Sequence, residues 1–140
     1  MNEQLVQYAQ ILTQAPTRWD MLTTLTEIGK DLPGCERSEQ NKVPHCLSSV
    51  FLDVRIQDNK IKIHIDADAH IIRGYAKILY DAFDNMPVKD FLQSASTDIK
   101  EFVEKTQINS SFLSSRANSF GTIFLYLQKK VQERGQAPNV

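Results

Sequence analysis

The sequence predicts an α+β fold: a small curved antiparallel β-sheet packed against several helices. Three observations predict it. Apolar residues recur at helical spacing before residue 30 and again after residue 70. Between these stretches, residues 50–65 alternate apolar and polar side chains with a period of two, broken only at Asp58-Asn59. The chain has 140 residues, enough for one domain whose core needs no disulfide or metal staples.

Leu5, Tyr8, Ile11 and Leu12 predict a first helix over residues 2–13, which Pro16 ends. Thr17 is placed to cap a second helix, residues 18–32, with Trp19, Leu22, Leu25 and Ile28 along one face. Gly29 and then Pro33-Gly34 stop it. Residues 35–46 read as a polar, exposed connector. Val50, Leu52, Val54 and Ile56, then Ile61, Ile63 and Ile65, give a β-hairpin with one buried face.

Asp66 or Asp68 is a natural N-cap for the helix that follows, whose stripe is Ile71, Ile72, Tyr75, Ile78 and Leu79. Gly74 inside that helix costs about 1 kcal/mol relative to alanine, which implies close packing on a neighbour. Pro87 opens a short helix, and residues 96–107 form another. The last helix runs from Ser114 or Ser115 to about Glu133 on an apolar face of Phe120, Ile123, Phe124, Leu127 and Val131. One domain then covers residues 1–134, and residues 135–140 are a frayed tail.

A net charge of −1 lacks the basic excess of a nucleic-acid binder and the polybasic patch of a membrane-surface protein. No apolar run is long enough to span a bilayer, and the polar N-terminus is unlike a signal peptide. The reading is a soluble cytoplasmic protein, or an organellar one after removal of a transit peptide. Two cysteines, Cys35 and Cys46, are no disulfide framework, and no Cys-x-x-Cys pair suggests zinc or a redox dithiol. Cys35, His45, Cys46, His64, Asp66 and Asp68 have no metal-site spacing, so no metal is expected. Asp66 and Asp68 lack the glycine and distant glutamate of a calcium loop. Walker, dinucleotide, nucleophile-elbow and zincin motifs are all missing, which argues against independent enzyme chemistry.

Cys46 is the residue of most interest. It follows Pro44-His45 in a polar stretch, just before the first strand. It is either a small apolar residue tucked under a loop or a nucleophile able to carry sulfur. Activation requires a base or a positive charge, and His45, Lys42 and Arg37 are near in sequence. Arg116 falls in the first turn of the last helix, where the helix dipole disfavours a cation. It is a solvated side chain or one aimed at a carboxylate.

Residues 37–52, "RSEQNKVPHCLSSVFL", resemble the signature of SufE-like sulfur-acceptor proteins, the SufE/CsdE type. Arg37, Ser38, Asn41, Val43, Cys46, Ser48 and Val50 fall in register with it. Asp66, Asp68, Ala69, Ile71 and Gly74 match a second segment, and Ser115, Arg116 and Asn118 a third. The resemblance runs from about residue 17 to about residue 131. It implies a fold similar to the SufE/IscU type. It also implies that Cys46 accepts persulfide sulfur from a cysteine desulfurase of the SufS/CsdA type, whose pyridoxal phosphate stays on that partner. The chain would stimulate the desulfurase and pass sulfur toward an iron–sulfur scaffold, as a carrier and activator with no bound cofactor of its own. His45, Arg37, Asn41, Ser48, Asp66, Asp68, Arg116 and Asn118 would shape the cysteine pocket or the docking face.

Two departures stand out: His45 and Ser119 replace glycines of the pattern. The histidine motivates a second reading, an adaptor of the same fold that binds a desulfurase without carrying sulfur or serves another pathway such as tRNA thiolation.

Overall fold

The computed structural model describes residues 1–44, 49–108 and 119–135, Ser119 by its backbone alone. Five helices and one hairpin make up the described elements: α1 (Glu3–Thr13), α2 (Arg18–Gly29), β1 (Val50–Gln57), β2 (Lys60–Ala67), α3 (His70–Phe83), α4 (Val88–Thr106) and α5 (Ser119–Gly135). A short 3-10 helix, Glu39–Asn41, interrupts the connector before β1. The α+β class is as the sequence predicts. None of the described helices is long and apolar enough to cross a membrane.

The hairpin turns at Asp58 and Asn59, both at positive φ (53° and 63°). Those angles define the type I′ turn that matches strand twist, and Asp and Asn tolerate them best after glycine. The register then pairs Val50 with Ala67, Leu52 with Ile65, Val54 with Ile63 and Ile56 with Ile61 on one face. All of these are buried except the half-buried Ile56. The opposite face carries Phe51/Asp66, Asp53/His64, Arg55/Lys62 and Gln57/Lys60. A two-stranded hairpin is marginal alone. Here short extended pieces flank both edges: Val43 N–H donates to Val50 O at 2.7 Å, and Ile61 N–H donates to Met86 O at 2.9 Å.

Thr17 caps α2 as predicted, its hydroxyl accepting from Asp20 N–H at 3.1 Å. The helix ends at Gly29 rather than residue 32, and Trp19 is not on its buried face but 79% exposed. The row 19, 22, 25, 28 does not follow one face. Each step of three turns about 300°, so Trp19 lies about 120° round the helix from Leu25.

Gly74 does serve close packing. A Cβ there would come within 2.9 Å of the Leu25 carbonyl carbon, and one on Gly29 within 2.7 Å of Gly74 N. Two helix backbones thus touch, which fixes α3 against α2.

The two helices expected after Pro87 are one, α4, with Pro87 as its N-cap residue. Phe91, Ala95, Ile99, Phe102 and Thr106 form an unbroken buried stripe through the polar middle. Phe91 and Phe83 meet edge to face at 5.2 Å, and Tyr75 meets Phe120 at 5.6 Å. The predicted apolar face of α5 is buried throughout. The expected start of that helix at Ser114 or Ser115, and residues 136–140 of the expected tail, lie outside the described residues.

Candidate functional site

Asp66 closes β2 with its carboxylate on the hairpin's outer face, beside Phe51. Only 7% of the residue is exposed. A buried carboxylate requires donors, and three meet it. Arg37 Nε donates to Oδ2 at 3.0 Å, the Ala67 amide donates to Oδ1 at 2.9 Å, and Arg73 Nη1 donates to Oδ1. Gly34 passes directly over it: at φ +78° its backbone leaves a Cβ position only 3.3 Å from Oδ2. Burial pushes the Asp66 carboxyl up, but the hydrogen bonds from Arg37 and Ala67 and both guanidinium charges outweigh that, leaving it below the ordinary carboxylate range.

Arg37 joins more than one partner. Its Nη1 pairs with Asp68, its Nη2 reaches Ala67 O at 3.4 Å, and its guanidinium lies 5.9 Å from the Phe51 ring centre. The Asp66 hydrogen bond and charge raise its own pKa. Asp66 and Asp68 are therefore not helix caps, as the sequence suggested. The N-cap of α3 is Ala69, which makes no side-chain cap, and both carboxylates turn to arginine instead.

This cluster stands at the root of the segment that carries Cys46. Val43 is bonded to Val50, and Ser49 O accepts from Asp68 N–H at 3.1 Å, so the ends of that segment are held together and to Asp68. His45, Cys46 and Ser48 lie outside the described residues, as do Arg116 and Asn118. Of the remaining candidates, the structure brings Arg37, Asp66 and Asp68 together. Asn41 stands apart from them, at the end of the 3-10 helix, lining a cavity of about 150 Å³ with Cys35, Glu36, Asp53, Arg55 and His64.

Arg73 was missed by sequence reasoning. It binds Asp66 and also donates to Leu32 O at 3.3 Å and Ala67 O at 3.3 Å, tying α3 and β2 to the end of the α2 segment. The signal was present: a cation in the first turn of α3, where the dipole disfavours it unless an acid answers it. Cys35 is half-buried, with its thiol 4.0 Å from Phe51 O. Burial, then the Asp66 and Asp53 charges, push its pKa up against the opposing charge of Arg37. It is a poor thiolate.

Comparison with known proteins agrees with this frame. Residues 3–131 match the family model "SufE: Fe-S metabolism associated domain". An uncharacterised SufE-like protein of Synechocystis is 29% identical over 90 residues, 64% of this chain and 54% of its own length. A chloroplastic quinolinate synthase of Arabidopsis thaliana is 23% identical over 134 residues, 93% of this chain but 18% of its own length. The chain thus spans about half or less of the length of these relatives. The solution structure of a hypothetical protein from Thermus thermophilus superposes with a TM-score of 0.70 at 14% identity, covering 96% of this chain and 97% of the other. That likeness is of fold. With the family model spanning nearly the whole chain, the chain belongs to the SufE family of Fe–S metabolism associated domains.

Proposed function

We propose that this chain accepts sulfane sulfur on Cys46 from the persulfide of a pyridoxal-phosphate cysteine desulfurase, stimulates that enzyme, and passes the sulfur toward iron–sulfur cluster assembly. In the transfer step the Cys46 thiolate attacks the outer sulfur of the donor persulfide. A new S–S bond forms, the old one breaks, and the donor cysteine leaves as a thiolate. The carrier then holds the persulfide, and no external oxidant is consumed.

One observation carries the reading most. The segment that bears Cys46 is pinned at both ends, Val43 to Val50 and Ser49 to Asp68, and Asp68 is in turn held by Arg37. A carrier thiol works from a short segment on a rigid base, because the base fixes where the thiol is presented. The second thiol supports the same choice by default, since burial and the charges of Asp66, Asp53 and Glu36 raise the pKa of Cys35.

The test is the intact mass of the protein after incubation with a desulfurase and cysteine, without reductant. A gain of one or more sulfur atoms that vanishes in Cys46→Ser and survives in Cys35→Ser is expected. No gain in a protein that still binds and stimulates the desulfurase would replace the carrier by an adaptor on the same fold.

A further inference from the structure

The outer face of the hairpin has an unusual charge arrangement beyond the Asp66 cluster. Arg55 and Lys62 stand directly opposite each other in the sheet. Like charges in that relation repel and destabilise a hairpin. The surroundings do little to relieve them. Lys62 donates to the neutral amide of Asn85. Arg55, 68% exposed, and Arg134 from the end of α5 share one carboxylate, Asp53, at 3.4 and 3.5 Å. Lys60, exposed on the next cross-strand pair, has no ion pair among the described residues. His64 stands opposite Asp53. Arg55 is exposed and Lys62 half-exposed in this row, whereas the apolar face behind it is sealed by the core.

We infer that this open face, centred on Arg55 and Lys62, is a docking strip for an acidic protein surface. On the function proposed above, that surface belongs to the cysteine desulfurase. The strip is positive in a chain whose net charge is −1, so it is a local feature and not a general one. Arg55/Lys62 is the second outer-face pair beyond Phe51/Asp66, about 13 Å along the strand from the base of the Cys46 segment, so a partner that receives that segment lies within reach of it. Asp53 and Glu36 at one end and Asp58 in the turn interrupt the positive charge. A polyphosphate backbone is poorly served by such interruptions, while discrete carboxylates on a folded partner fit between them. The repulsion kept in the hairpin then has a use: Arg55 shares its one acid with Arg134 and Lys62 meets only a neutral amide, so positive charge is left over for the partner.

The experiment measures two properties of Lys62→Glu and of Arg55→Glu/Lys62→Glu: melting temperature, and affinity for a purified cysteine desulfurase by calorimetric titration at 50 and 300 mM salt. Lys62→Glu replaces repulsion by attraction across the sheet, so its melting temperature rises. Its affinity falls about five-fold or more at low salt, the double variant falls further, and the salt dependence flattens. A more stable hairpin that docks worse is not explained by a structural role. Wild-type affinity in both variants would mark the row as a solvated face and overturn the inference, leaving the proposed function standing. Failure of the wild type to bind any desulfurase would overturn that function, and the partner assigned here with it. Tight binding of single-stranded RNA, lost in the double variant, would overturn the inference in favour of nucleic acid.

Discussion

Arg37 reaches from the connector after α2 to Asp66 at the end of β2, Nε to Oδ2 at 3.0 Å, and Arg73 of α3 meets the other oxygen of the same carboxylate. One buried acid therefore joins three segments. Asp66→Asn keeps the shape but leaves two guanidinium groups without their main counter-charge. Because Arg37 and Arg73 are partly solvated, at 44% and 23% exposure, the expected loss is about 1.5–3 kcal/mol rather than that of a fully buried pair. Urea unfolding at pH 7 reads it; a loss below about 0.5 kcal/mol would show that the cluster contributes little to the fold.

The same carboxyl predicts an acid dependence. Its folded pKa lies below the ordinary value, so between the two the unfolded chain binds more protons. The Asp66 contribution is complete above the unfolded pKa and is lost as pH falls through the folded one. Wild type should lose urea resistance more steeply than Asp66→Asn as pH falls from about 5 through and below the ordinary carboxylate range. Parallel pH profiles would remove Asp66 from the account.

The Gly74 contact gives a second stability prediction. Alanine is the better helix former by about 1 kcal/mol, so Gly74→Ala would stabilise an isolated α3. In the fold its methyl group would overlap the Leu25 backbone. Backbone cannot swing aside as a side chain can, so the net effect should be a loss of about 1–3 kcal/mol. An unchanged or raised melting temperature would mean that α2 slides freely on α3.

Gly74 and the hairpin were legible in the sequence because each rests on a local rule, glycine cost in one and period-two alternation in the other. Trp19 was misread because a row of i+3 spacings looks like a face while drifting around the helix. The division of α4 came from its polar middle, Ser94, Ser96 and Thr97. There the Ser94 hydroxyl simply donates back to Asp90 O, and the buried stripe passes beneath. At the site, Arg37, Asp66 and Asp68 were named as candidates, but their joining depends on a chain reversal of about thirty residues. No local pattern encodes that. Arg73 was missed for another reason: its partner is only seven residues away, but on a different element.

Cys35 should react slowly. In a Cys46→Ser background it is the sole thiol, and burial with the nearby Asp66, Asp53 and Glu36 carboxylates favours its neutral form. Iodoacetamide alkylation should therefore reach half its maximal rate above the usual thiol pKa of about 8.5. Asp66→Asn removes one of the opposing charges but also frees Arg37, and both changes favour the thiolate, so the profile should move to lower pH. No movement would show that burial alone sets Cys35.

His45 is the sharpest departure in the Cys46 segment, an imidazole where the family pattern has glycine. An adjacent histidine favours a thiolate in either of two ways: as imidazolium it offers a positive charge, and as neutral imidazole it accepts the proton. Both speed alkylation of Cys46 between pH 6 and 8. In a Cys35→Ser background, His45→Gly should slow that reaction several-fold near pH 7 and leave the rate above pH 10, where the thiol is ionised in either protein, nearly unchanged. Glycine also relaxes the backbone, and better access alone would raise the rate at every pH. The two effects therefore separate by shape: a change confined to neutral pH assigns His45 to thiol activation, and a uniform change assigns it to access. Identical profiles would mean that the histidine acts on neither, and that its presence bears on partner choice instead.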